Sequence, residues 1–295
     1  MAAITQGSVS ANGVEFTYLS AGNAADSLKP LALCLHGFPD SARSWRHLLP
    51  ALADAGYRAV APFQRGYAPT TVPADGRYQS GALATDAIAL HEALAGDRDA
   101  VIIGHDWGAS GTHGAAVLAP ERWGKVVSMA GPPGPTMAMA FVTNLAQVQR
   151  SWYMFFFQHG LADMVVPAND LAFLDLLWSQ WSPGYDATED LAHVKACLRD
   201  PANLTAALGY YRAALGDGYK DPALDAAQAA TRSWATQPHL YLHGRNDGCI
   251  GVEVAEAAGA MAPANVTVEF IDGAGHFLQL EQPAIVNARI LSFLS

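Results

Sequence analysis

Along its first part the chain alternates short apolar runs with stretches of helical period. Runs of strand character are VEFTYL from Val14, LALCLHG from Leu31, YRAVAPF from Tyr57, DAVIIGHD from Asp99 and WGKVVSMAG from Trp123. Between them, LATDAIALHEAL spaces Leu83, Ala87, Leu90 and Leu94 by four, three and four positions, the period of one buried helix face. Strands separated by such helices imply right-handed crossovers, and therefore a largely parallel sheet.

Past Gly131 the texture changes. GPPGPT interrupts the chain, and from there to about Trp234 the pattern is helical, rich in Ala, Leu and aromatic residues, with no run that reads as a core strand. From His239 the alternation returns with HLYLHG, VEVAEAAGAM, VTVEFIDG and a closing helix AIVNARILSFL. The pattern predicts an α/β fold with a mostly parallel twisted sheet. Residues 1–132 and 236–295 form its core, and residues 133–235 are a helical cap inserted after a strand. Clefts between sheet and cap are where small molecules usually bind.

Composition narrows the partners. The chain has 295 residues, is 51% apolar and carries a formal charge of -10 with no basic cluster, so a large core is expected and nucleic acid and anionic membranes are poor partners. A small uncharged substrate fits better. The first twenty residues lack a basic start, an apolar run and a small-residue cleavage site, and nowhere do about 18 apolar residues run uninterrupted, which predicts a soluble, cytoplasmic protein. Cys34, Cys197 and Cys249 are odd in number and far apart, which suggests buried small hydrophobes in a reducing compartment rather than disulfides or a zinc site.

The candidate chemistry begins at VIIGHDWGAS. Three branched residues run into Gly104, and Gly108 follows, the strand-then-sharp-turn shape of a nucleophile elbow, but Asp106 stands where a serine is usual. Alone, such an Asp could equally cap the following helix. A carboxylate there is already ionised at neutral pH and needs no base to activate it. Two further loops follow strands: LHGRNDGCI holds Asp247 and FIDGAGHFLQLEQP holds His276, giving the order nucleophile, acid, histidine found in α/β-hydrolases. Asp272 is the competing acid, although its Asp-Gly pair reads as turn chemistry. The loop LHGFPDSARSWR, after an early strand, nominates the amide of Phe38 for an oxyanion hole together with that of Trp107, and Phe38-Pro39 is a candidate cis bond.

Taken together, HGFPDSARSWR, GHDWG, GRNDG and GAGHFLQLEQP make nearly the whole chain resemble an α/β-hydrolase of the epoxide hydrolase type. The GHDWG elbow is the narrowest of these, being typical of epoxide hydrolases and haloalkane dehalogenases, both of which form an ester on an aspartate. The resemblance implies two cap tyrosines that hold the epoxide oxygen. Matching SWYMFFFQ and LGYYRAAL residue by residue puts Tyr153 and Tyr211 in those roles, with Tyr210 the neighbour that a one-residue error would choose. Phe155, Phe156 and Phe157 read as core packing.

A haloalkane dehalogenase would need a halide cradle. Trp107 would be one ligand; Phe38 cannot donate through its side chain, while Trp178 and Trp181 leave a cap tryptophan open as the second. A silent small-molecule-binding relative is the other alternative, since a fold does not fix function. A serine esterase is disfavoured because there is no GxSxG and Ser110 lies in the helix after Asp106; a fluoroacetate-type dehalogenase would show Arg where Trp107 stands. The resemblance further implies no metal or organic cofactor, a small hydrophobic epoxide as substrate, no nucleic-acid or membrane partner, and a monomer or homodimer.

Overall fold

The computed structural model describes residues 2–23 and 28–295. Among these residues the apolar runs, joined by one polar edge strand, form one eight-stranded sheet: β1 (Ile4–Ala11), β2 (Val14–Ala21), β3 (Leu31–Leu35), β4 (Arg58–Pro62), β5 (Val101–His105), β6 (Lys125–Met129), β7 (His239–Gly244) and β8 (Val266–Ile271). Their spatial order is β1-β2-β4-β3-β5-β6-β7-β8. Every pairing from β4 to β8 is parallel, and the antiparallel β1-β2 and β2-β4 pairs make up the opposite edge. The central strands β3, β4 and β5 are buried throughout, as continuous apolar runs covered on both faces must be.

Strand β1 has no counterpart among the expected strands. Its ITQGSVSA sequence is mostly polar and lies exposed at the sheet edge, so it carries no apolar run. The signal lay in the next two residues: Asn12 and Gly13 both have positive φ, 46° and 73°, the conformation a two-residue hairpin turn needs.

Two apolar clusters reflect the two faces of the sheet. Leu33, Ile102 and Val126 point to one, with Leu90 and Ala115 from the helices Ser80–Ala93 and Trp107–Leu118 that pack there against each other. Their chain neighbours Cys34, Ile103 and Val127 point to the other. That second cluster continues without a break into the segment between β6 and β7, taking in Tyr153, Leu174, Trp178 and Leu208. The described secondary structure of that segment is wholly helical, its longest members being Ala168–Trp181 and Pro201–Leu215. Its last helix, Asp225–Ala230, rests on Ser80–Ala93 and Trp107–Leu118, so the segment's end returns to the sheet layer.

The three phenylalanines of MFFF do not share one environment. Phe157 is fully buried and Phe156 packs against the core, but Phe155 is 47% exposed, contrary to the expectation of core packing for all three. Its short helix Trp152–Phe156 has only Tyr153 fully buried, because a single turn cannot turn three successive residues inward. Phe38-Pro39 and Ala68-Pro69 are cis. No helix among the described residues is long and apolar enough to cross a membrane.

Candidate active site

Strand β5 ends at His105, and the helix Trp107–Leu118 starts at once, leaving Asp106 to make the whole turn. Its φ of 54° and ψ of -119° lie outside the regions open to ordinary residues, a strain of about 1–3 kcal/mol held by the surrounding packing. Two glycines permit it. A Cβ on Gly108 would strike the Leu35 carbonyl, and one on Gly37 would strike the Asp106 carboxylate itself. The elbow helix and the Gly37 loop therefore close on each other to backbone contact.

That closeness gives the carboxylate its first partner. Phe38 N–H donates to Asp106 Oδ1 at 2.8 Å. The loop is held by His36, whose Nε2 accepts from the Gln64 N–H at 3.0 Å, leaving Nδ1 to donate to the Gly37 carbonyl at 2.9 Å. Burial pushes the His36 pKa down to about 4, so this histidine is a neutral strut. Trp107 is the first residue of its helix, where the N–H has no intrahelical acceptor.

Asp247 and His276 arrive from the loops after β7 and β8. His276 Nδ1 donates to Asp247 Oδ2 at 2.9 Å, and the other Asp247 oxygen accepts from the N–H groups of Cys249 and Ile250 at 2.7 and 2.9 Å. Burial works against the Asp247 charge, but His276 and these amides outweigh it and hold the carboxyl below its ordinary value. His276 Nε2 points the other way, 3.7 Å from Asp106 Oδ2, with no hydrogen-bond partner among the described residues. Burial alone would favour the neutral ring; the charges of Asp247 and Asp106 override it and lift the His276 pKa to about 10.

The histidine loop is fastened from several sides. His105 Nε2 donates to the His276 carbonyl at 2.8 Å, and the His276 N–H donates to the Trp181 carbonyl at 3.0 Å. Glu281 accepts from Gly275 N–H at 2.7 Å and from Ser182 Oγ at 2.6 Å, which gives the final Glu of GHFLQLEQ a role that the motif alone did not disclose. Asp272 lies elsewhere. Its carboxylate is 90% exposed and pairs with Arg245 Nε at 2.8 Å.

From the helical segment, Tyr153 and Tyr211 enter edge to face, ring centroids 5.6 Å apart, and both border a cavity of about 580 Å³ together with Asp106 and Trp107. Tyr211 Oη makes no hydrogen bond of ordinary length among the described residues, whereas Tyr210 donates to the Arg65 carbonyl at 2.7 Å. Burial, with Asp106 nearby, raises the pKa of both cavity tyrosines well above 10, so they are phenols at neutral pH. The remaining wall is largely apolar, with Met137, Phe141, Met154, Leu215 and Ile250. Trp178 does not face this space: its indole N–H donates to the Pro39 carbonyl at 2.8 Å.

All three cysteines are free and buried, but Cys249 is more than the small hydrophobe expected from sequence. It borders the cavity, with Sγ 3.3 Å from Tyr153 Oη. Asp247, Cys249 and His276 bring possible metal-ligand atoms within 4.8 Å of one another. They are already engaged among themselves and with Tyr153, and burial next to two carboxylates raises the thiol pKa well above 9, so the sulfur keeps its proton.

The family described as alpha/beta hydrolase fold matches residues 30–283. The chain belongs to that family. Epoxide hydrolase A of Mycobacterium tuberculosis is 30% identical over 333 residues, covering 100% of this chain and 98% of the relative. The AB hydrolase superfamily protein YfhM of Bacillus subtilis is 31% identical over 289 residues, 97% of this chain and 96% of its own. Among solved structures, epoxide hydrolase A from Mycobacterium thermoresistibile superposes with a TM-score of 0.76 at 29% identity, covering 99% of this chain and 98% of that one. A novel epoxide hydrolase from hot-environment metagenomes reaches 0.81 at 25% identity, covering 99% and 98%. The chain is thus an α/β-hydrolase that has epoxide hydrolases among its similar relatives and structural neighbours.

Proposed function

We propose that this α/β-hydrolase opens an epoxide to a vicinal diol through an ester on Asp106. The observation that carries the reading is the pairing, across one cavity, of an elbow carboxylate with two buried phenols. A ring carbon is attacked from behind by Asp106 while the ring oxygen, leaving as an alkoxide, faces Tyr153 and Tyr211, which supply hydrogen bonds and a proton. A serine would suit attack at a carbonyl; displacement at a saturated carbon suits a carboxylate that needs no activation.

The second half-reaction uses the other face of Asp106. In the resting site His276 lies between two carboxylates. Esterification neutralises Asp106, removes one of those charges and lets the imidazole release its proton, so that it becomes a base only once there is an ester to hydrolyse. Water activated by His276, itself oriented by Asp247, attacks the ester carbonyl, and the oxyanion is met by the amides of Phe38 and Trp107. The segment 133–235 acts as the cap that carries the tyrosines and closes the cavity, and the apolar wall selects a hydrophobic epoxide.

The intact mass of His276→Gln after incubation with a small epoxide tests this. A gain equal to the whole epoxide, mapped to Asp106, is the expected result. A gain of a haloalkane less its hydrogen halide, with none from epoxides, would move the reaction to dehalogenation; no adduct from either would contradict covalent catalysis.

A further inference from the structure

The two cavity tyrosines are not equivalent. Tyr211 Oη makes no hydrogen bond of ordinary length among the described residues, though the Trp107 indole and the Tyr153 hydroxyl face it, whereas Tyr153 Oη lies 3.3 Å from Cys249 Sγ. The cysteine is 2% exposed and its main chain is clamped on both sides. Its N–H donates to Asp247 Oδ1 at 2.7 Å, and its carbonyl accepts from Gln147 Nε2 at 2.9 Å. Gln147 is itself buried; its Oε1 accepts from Gly251 N–H at 2.9 Å and its Nε2 reaches Ser151 Oγ at 2.9 Å, two residues before Tyr153. One short loop thus fixes the acid, the sulfur and the start of the tyrosine's helix relative to one another.

We propose that Cys249 is a positioning residue for ring opening: its S–H donates to Tyr153 Oη and turns the phenol proton toward the epoxide oxygen. This rests on the epoxide-opening reading above. Thiol and phenol each hold one proton, and a single hydrogen bond between them uses only one. If the thiol donates, the phenol proton is free for the cavity, and chained hydrogen bonds strengthen one another. As the bond from Asp106 oxygen to carbon forms and the ring C–O bond breaks, the electron pair goes to the ring oxygen, which takes the Tyr153 proton. The phenolate left behind accepts from Cys249, whose S–H bond stays intact. The proton that His276 releases once Asp106 is esterified restores Tyr153, and the water consumed in ester hydrolysis returns a proton to His276. Of the two tyrosines, Tyr153 is then the proton donor and Tyr211 a hydrogen-bonding support.

The test measures alkylation and ester hydrolysis separately in single turnovers, for wild type, Cys249→Ala and Cys249→Ser, each alone and combined with Tyr153→Phe. Cys249→Ala is expected to slow alkylation by about tenfold and leave hydrolysis of the ester unchanged, with Cys249→Ser recovering most of the loss. The loss should shrink on epoxides with electron-withdrawing substituents, whose alkoxides need the proton less. In the Tyr153→Phe background it should vanish. Unchanged alkylation in Cys249→Ala, or an undiminished loss in the Tyr153→Phe background, overturns the proposal. So does an equal slowing of both half-reactions in Ala and Ser variants, which is the mark of a packing role. If wild type itself forms no ester, the underlying reading fails, and the proposal with it; an ester formed normally without the thiol sinks the proposal alone.

Discussion

The sheet side and the helical side of this site are built differently. On the sheet side, Asp106, Asp247 and His276 stand after the ends of β5, β7 and β8; the two carboxylates accept from the backbone N–H groups of Phe38 and Cys249, and the His276 carbonyl is held by the His105 ring. On the helical side, Tyr153 and Tyr211 come from separate helices, and one of their hydroxyls makes no hydrogen bond of ordinary length among the described residues. The sheet side holds its carboxylates and histidine in fixed positions, as the proposed nucleophile and the base that serves its ester need to be held. The helical side offers neutral donors with spare capacity, suited to a charge that exists only while the ring opens.

The contrast can be tested from its strongest consequence downward. Asp106→Ala should abolish adduct formation and cut diol formation by roughly 10³-fold or more, because no other group can form the ester; near-normal turnover, followed by product analysis, would break the division at its root. Asp247→Asn should leave alkylation largely intact and slow ester hydrolysis by roughly 10²–10⁴-fold, since it disturbs the tautomer and charge of His276 while the Asn oxygen can still accept from the Cys249 and Ile250 N–H groups. Equal effects on both steps in single-turnover kinetics would show that the two halves are not separable.

Tyr153→Phe and Tyr211→Phe should each slow alkylation by roughly 10–100-fold, with the ester, once formed, hydrolysed at the normal rate. A loss confined to ester hydrolysis would place the phenols on the wrong half-reaction. The smallest effect concerns stability. His276 has its pKa raised from 6.5 to about 10 in the folded protein, so the stability it contributes is complete below about pH 6.5 and is lost as pH climbs through about 10. The melting temperature of the wild type should fall over that interval by more than that of His276→Gln. Parallel curves would mean that the ring is not held charged between the two carboxylates.

The same contrast explains what the sequence disclosed. The sheet side was legible because the chemistry is local: Gly104, Gly108 and Gly37 are needed where the backbone closes, so the elbow and its companion loop leave short motifs. The strands were legible as apolar runs, except β1, whose polar face follows from its exposed edge. On the helical side, a run such as MFFF has no period that separates buried Phe157 from half-exposed Phe155, and only the resemblance singled out Tyr153 and Tyr211. Nothing in GRNDGCI signalled that Cys249 would meet a tyrosine 96 positions earlier, because that contact is set by packing across the cavity. The Gln147 clamp on the same loop was invisible for the same reason.

The most direct test of the central claim follows oxygen. In a single turnover of the wild-type enzyme with a small epoxide in heavy-oxygen water, the first diol should carry an unlabelled oxygen donated by Asp106, and the label should appear in the aspartate carboxylate. Solvent label in that first diol, with none in Asp106, would contradict the ester and with it the reading of the elbow carboxylate as nucleophile.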